Sequence, residues 1–170
     1  MLRSPARIER LEVAHVVDLS LSQIDPKGSV VDVGTGTGIF AEEFARRGLQ
    51  VTGVDANPEM ILSAKEIVLA ATFKQGLAES LPFPDASCDL VFMGLLLHEV
   101  DDPLTALREA QRVSRTRTAV LEWRYEEQAF GPPLTDRISG ERISQLALQA
   151  GFKRTQSIPL KSLVLYLLEH

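Results

Sequence analysis

The 170-residue sequence contains one cysteine, Cys88, so neither an internal disulfide nor a cysteine metal cluster can form. Basic charge is not in excess: 18 Lys+Arg against 23 Asp+Glu leave a net charge of −5. That balance disfavours a nucleic-acid partner, because phosphate contacts need a basic face. Arg112, Arg115 and Arg117 cluster, but around a helix end such a group reads as a solvated face. No apolar run approaches a membrane span, and no N-terminal stretch has the apolar core of a signal peptide, so a cytoplasmic protein is expected. Repeats, low-complexity tracts and linkers are missing too, which points to one domain over residues 1–170. A chain of this length buries about 68–70% of its unfolded surface, enough for one core. Hydrophobic content of 45% and charged content of 24% are ordinary for a globular protein. Nothing in the pattern calls for a metal.

What is present centres on Val30-Val31-Asp32-Val33-Gly34-Thr35-Gly36-Thr37-Gly38, followed by Ile39-Phe40-Ala41-Glu42-Glu43-Phe44. A β-branched run closes on an acid, three glycines alternate, and an amphipathic helical pattern begins. This reads as a buried strand, a tight loop and a helix N-terminus, which brings backbone close to a ligand. A dinucleotide fingerprint, G-x-G-x-x-G, needs its third glycine at position 39, where Ile39 stands. Asp32 also argues against a pyrophosphate, since its carboxylate would repel a phosphate pair; it suits a cationic ligand. A second strand, Val51-Thr52-Gly53-Val54-Asp55, ends in an acid 21 positions after Gly34. An acid at that distance is placed to accept ribose hydroxyls, a geometry common to several nucleoside cofactors.

Before this core, Ser4-Pro5 is a cap-and-first-turn pair, and Ile8, Leu11, Val13, Val16, Val17 and Leu21 predict one helix with His15 partly buried in its apolar face. Asp25-Pro26-Lys27-Gly28 turns the chain into the first strand. Later helices are predicted over Thr37–Arg47, from Pro58 (with Met60, Ile61, Ala64, Ile67 and Val68 as the buried stripe), over Pro103–Val113 and over Glu141–Ala150. Further strands are predicted at 72–75, 90–93, 118–123, 152–158 and 162–168.

The glycine loop resembles motif I of the class I S-adenosylmethionine-dependent methyltransferases. Gly76-Leu77-Ala78-Glu79-Ser80-Leu81-Pro82-Phe83-Pro84-Asp85-Ala86-Ser87-Cys88-Asp89 is similar to the G-D-A-E-x-L-P-F-P-D-x-S-F-D signature of their "type 11" group, which includes ubiquinone- and menaquinone-biosynthetic enzymes. Glu109, Arg112 and Val113 match its E-x-x-R-V pattern, with mainly structural roles implied. Two departures stand out. Cys88 replaces an aromatic, and Leu77 replaces the acid that accepts a hydrogen bond from the adenine amino group, leaving the Ala78 amide to read the base edge. Losing one charge-assisted bond of about 1.5–3 kcal/mol lowers cofactor affinity by roughly one to two orders of magnitude. The turn at Ser114–Thr118 also departs from the family's Leu-x-Pro-Gly-Gly.

The resemblance implies an α/β fold: a Rossmann-like seven-stranded sheet of order 3-2-1-4-5-7-6, strand 7 antiparallel, helices on both faces. It divides the domain into an N-terminal helix and turn (1–28), a cofactor-binding core (29–123) and an acceptor-side loop, last helix and terminal strand pair (124–170). It implies S-adenosyl-L-methionine as cofactor, S-adenosyl-L-homocysteine as product, and methyl transfer to a small-molecule acceptor. Cofactor contacts fall on Asp32, Gly34, Thr35, Gly36, Gly38, Asp55, Ala56, Leu77, Ala78, Met93 and Gly94, the last two through carbonyls facing the cofactor's ammonium. His98, near the transferred methyl, is the general base where the acceptor must lose a proton, and it is expected to face the acceptor side of the crevice. Glu122 and Tyr125 are expected on the acceptor side, Glu122 orienting a cationic amine. The chain lacks an inserted lid, which leaves room for a homo-oligomer or a partner to complete the acceptor pocket. Two alternatives stay open: a cofactor-binding module without catalysis, and an NAD(P)-linked oxidoreductase.

Overall fold

A computed structural model describes residues 3–170 of the chain. Its frame is a sheet of seven strands: β1 (Ser29–Val33), β2 (Gln50–Asp55), β3 (Thr72–Gln75), β4 (Cys88–Gly94), β5 (Ser114–Trp123), β6 (Arg154–Pro159) and β7 (Leu163–Glu169). They lie in the order β3-β2-β1-β4-β5-β7-β6, with β7 antiparallel to both β5 and β6 and the other pairs parallel. This is the expected order. Alternation along the strands feeds two cores, one on each face. Val30, Leu90, Phe92 and Leu121 pack with α2 (Val13–Ser20), α3 (Ile39–Arg46) and α4 (Pro58–Ile67). Val31, Val91, Met93 and Val120 pack with α5 (Pro103–Val113) and α6 (Gly140–Ala150).

Side-chain caps start α4, α5 and α6 where the chain leaves the carboxyl ends of the strands. Asn57 accepts from the Glu59 amide at 2.9 Å with Pro58 in the first turn, Asp102 accepts from Thr105 at 3.1 Å with Pro103, and Ser139 accepts from Arg142 at 3.2 Å. Each cap satisfies an amide that the helix leaves open. Loops that end in such caps gather at one edge of the sheet, where a ligand crevice belongs.

Four expectations are corrected. The N-terminal segment is two helices, α1 (Pro5–Arg10) and α2, because Glu12 adopts a left-handed conformation at φ 49°. The two-residue step from Leu11 to Val13 breaks the helical rhythm, and the kink lets both side chains be buried. His15 is exposed, on the opposite side of α2 from Val13, Val16 and Val17. Along α4 only Ile61, Ala64 and the following Val68 are buried, while Ile67 is exposed. The arginine cluster is solvated only at Arg115: Arg117 is buried on Ser22 and Glu169, and Arg112 donates to the carbonyls of Leu81 and Phe83 as well as to Glu109 and Asp85. Accordingly β5 begins at Ser114, with a register shift opposite Cys88–Leu90.

Candidate active site

At the carboxyl ends of β1, β2 and β4 lies a crevice of about 700 Å³. Its floor is the turn after β1. The amides of Gly34 and Thr35 both donate to the Val54 carbonyl, at 2.8 and 3.0 Å, so the turn is tied across to β2. Gly34 has φ +71°, and a Cβ there would stand 2.8 Å from Leu96 Cδ1, so both conformation and space demand glycine. Gly36 has φ +53° and open space where a Cβ would be, which leaves its backbone bare to the crevice. Asp55 closes one side. One carboxylate oxygen accepts from the Gly36 amide at 2.8 Å and the other from Asn57 at 2.9 Å. Each oxygen keeps a further lone pair for a ligand hydroxyl.

Beneath the turn, Asp32 is buried and accepts from the Thr35 hydroxyl at 2.7 Å. Burial pushes its carboxyl up to about 7, against the pull of Thr35 and of the Ala41 amide, and the charge of Asp55 adds to the rise. Asp32 holds the turn in shape and does not line the crevice. Met93 is fully buried and also lies off the lining, whereas Gly94, Ala56, Leu77 and Ala78 are on it. Leu77 is 56% exposed, an apolar side chain left bare at the crevice wall. Leu95, where the chain leaves β4 into the crevice, holds a left-handed φ of 56°, a conformation costing about 1–3 kcal/mol in a non-glycine residue. Its amide donates to the Leu121 carbonyl at 2.8 Å, which helps hold the turn.

His98 stands outside this crevice. It lines an adjoining cavity of about 400 Å³ with Tyr125, Arg137 and Arg142, and Val100 borders both spaces. Its Nδ1 lies 2.8 Å from Glu122 Oε2, and its amide donates to Oε1 at 3.2 Å. The Glu122 carboxylate is buried and also accepts from Trp123, so it is occupied by its own neighbours and lines neither cavity. Burial pulls the His98 pKa down, but the hydrogen bond and charge of Glu122, joined by Glu99, outweigh it and raise it above the ordinary histidine value. With Nδ1–H donating to Glu122, the neutral ring leaves Nε2 as the free acceptor. Tyr125 is exposed at the mouth of the same cavity.

Residues that the sequence pattern did not single out complete the two spaces. Met60, Glu79 and Glu99 line the crevice, and so does Arg7, reaching in from α1. Arg137 is buried and donates to the carbonyls of Arg124, Glu126, Phe130 and Pro132 and to Gln128 Oε1, which fixes the loop after β5. The one available signal was Arg7 itself, an arginine four residues before buried Leu11 and so on the same side of a helix.

A Rossmann-like sheet whose glycine turn and second acid meet in one crevice defines a fold built to bind a nucleoside-bearing ligand. Comparison with known proteins makes the class specific: the chain belongs to the methyltransferase domain family, whose model matches residues 31–121. It is 33% identical over 103 residues to a malonyl-[acyl-carrier protein] O-methyltransferase of Serratia marcescens, covering 61% of this chain and 40% of that protein. It is 34% identical over 107 residues to a demethylmenaquinone methyltransferase of Renibacterium salmoninarum, covering 63% of this chain and 45% of that one. The chain spans about half the length of the curated relatives it matches. A solved structure, a SAM-dependent methyltransferase from Aquifex aeolicus, superposes with a TM-score of 0.87 at 25% identity over 98% of this chain and 94% of that one. Among the described residues no helix is long and apolar enough to cross a membrane.

Proposed function

We propose that this chain binds S-adenosylmethionine in the crevice and transfers its methyl group to a small-molecule acceptor lodged in the adjoining cavity. The observation that carries the reading is the joining of the bare Gly36 backbone to Asp55 at one wall of the crevice. The fit is good in both size and chemistry. About 700 Å³ lies within the range of small-ligand pockets. Asp55 would offer lone pairs to the ribose hydroxyls, the Ala78 amide would read the base edge, and Leu77 would offer it apolar contact. Gly94, also on the lining, would offer its carbonyl to the amino-acid end.

When bound, the cofactor supplies a methyl group made electrophilic by its positive sulfur. The protein's task is then to position donor and acceptor and to manage a proton. The turn after β1, tied down by its own hydrogen bonds, would shape the donor side and present Asp55 to it. His98 holds or accepts a proton at Nε2, while Glu122 fixes the ring through Nδ1 and stabilises its charged form. An acceptor with an oxygen or carbon acid would use that base.

Calorimetry with S-adenosylhomocysteine tests the reading. Asp55→Ala removes charge-assisted bonds to the ribose, and the affinity should fall about ten- to a hundredfold. Binding of wild-type strength in that variant would place the ligand elsewhere.

A further inference from the structure

The His98 ring has two nitrogens but only one way out for a proton. Nδ1 is committed to Glu122, whose side chain is 1% exposed and so closed to water. The His98 side chain is itself only 6% exposed. Nε2 faces Glu99, with Oε1 at 3.7 Å, and the Glu99 side chain is 69% exposed. Glu99 lines the crevice, whereas His98 lines the adjoining cavity, so the pair spans the wall between the two spaces. The Glu99 amide donates to the Leu96 carbonyl at 2.8 Å, which sets its place in the turn after β4. The other charged or titratable groups around the ring are Arg137, Tyr125 and Asp136 after β5, and Arg142 on α6. Among the described residues no carboxylate except Glu99 pairs with Nε2.

We infer that Glu99 is a positioning residue that takes the proton from His98 Nε2 and passes it to water on the crevice side; the inference rests on the proposed role of His98 as base. In the transfer, the acceptor's bond to hydrogen breaks as its oxygen or carbon bonds to the methyl carbon, and the methyl–sulfur electron pair stays on sulfur. Nε2 holds the released proton, with Nδ1–H still on Glu122. Glu99 Oε1 then accepts that proton and, being open to solvent, yields it to water, which returns the ring as a base. A distance of 3.7 Å is that of an ion pair rather than a hydrogen bond, and a small rotation of the exposed glutamate closes the difference. Without Glu99 the charged ring, held by buried Glu122, keeps its proton and cannot serve the next acceptor.

Proton NMR titration of the three histidines reads the contact directly, with His98→Gln assigning the signal. Glu99→Gln keeps size and removes the charge. The His98 titration should then move down by about half to one pH unit, with His15 and His170 staying in place. Glu99→Asp should recover part of the shift. Methyl transfer from labelled S-adenosylmethionine to a metabolite extract, run above both His98 titrations in dilute buffer, should slow about tenfold in Glu99→Gln. Added imidazole should restore the rate by taking the proton instead, while calorimetry shows S-adenosylhomocysteine affinity nearly unchanged. An unmoved His98 titration would overturn the inference, and so would a transfer rate that Glu99→Gln leaves intact or that imidazole fails to restore. An affinity loss as large as the rate loss would make Glu99 a cofactor ligand instead. Failure of the underlying reading shows separately, as wild-type protein that binds no S-adenosylhomocysteine or transfers no methyl group, or as undiminished transfer by His98→Gln; the inference falls with it.

Discussion

The two halves of the site are built from different material. On the β1–β2 side the scaffold is backbone: the Gly34 and Thr35 amides on the Val54 carbonyl, the Gly36 amide on Asp55, and glycine wherever a side chain would obstruct. On the β4–β5 side it is charged side chains buried on one another or on carbonyls, His98 on Glu122 and Arg137 on the loop it gathers. A backbone cradle grips any ligand with the right skeleton and makes few demands on neighbouring residues beyond glycine and one acid. A cavity shaped by particular side chains discriminates, and each such residue can be changed to alter what is bound. The first half suits an invariant donor. The second suits a chosen acceptor.

The largest expected effect separates the two halves. His98→Gln keeps polarity and reach but removes the proposed base. Methyl transfer to an acceptor that must lose a proton should drop about 10²–10⁴-fold, with S-adenosylhomocysteine affinity nearly unchanged. Incorporation of labelled methyl into a metabolite extract, set beside calorimetry, would show it. A base at His98 would act only when deprotonated, so wild-type activity should fall as pH drops through its raised pKa. A loss of cofactor affinity as large as the loss of transfer would join the halves that the geometry separates. Next comes Arg137→Met, which removes a buried guanidinium from four carbonyls of the loop after β5 and should destabilise the protein by about 2–4 kcal/mol in urea unfolding. Proteolysis should then cut first between residues 124 and 139.

The same division explains what could be read from the sequence. The glycine turn, Asp55 and the helix starts at Asn57-Pro58 and Asp102-Pro103 are local patterns, because a turn or a cap is decided by residues a few positions apart, whereas strand order followed only from the family resemblance those motifs carry. The His98–Glu122 pair joins residues 24 apart on different elements, and no local rule pairs them. Arg117 and Arg112 looked exposed for the same reason: their partners Ser22, Glu169, Leu81 and Phe83 arrive from elsewhere in the chain. The N-terminal kink was legible in principle in the step from Leu11 to Val13. His15 could not be placed until α2 had a direction of its own.

A smaller effect tests the one gap in the cradle. Leu77 is bare at the crevice wall, so an acid there would remain solvated in the free protein and would cost little to introduce. Leu77→Asp should tighten S-adenosylhomocysteine binding about tenfold by restoring a charge-assisted bond to the adenine amino group. Weaker binding by a folded variant would mean that the leucine packs on the base.

The smallest effect lies beneath the cradle, at Asp32. Its carboxyl is pushed up to about 7 by burial, whereas an aspartate in the unfolded chain titrates at about 3.9. Between those values the folded protein retains a proton that the unfolded chain has lost. Stability must therefore fall as pH rises through this window, and the decline ends once Asp32 ionises in the fold as well. Asp32→Asn keeps an oxygen for the Thr35 hydroxyl and cannot ionise, so it imitates the protonated form. Urea unfolding at pH 6 and pH 8 should show wild type losing about 1 kcal/mol more than the variant over that interval. Other titrating groups are shared by the two proteins and cancel in the difference. Parallel pH profiles would mean that Asp32 is ionised throughout, the Thr35 hydroxyl and the Ala41 amide supplying enough hydrogen bonding to hold a buried carboxylate.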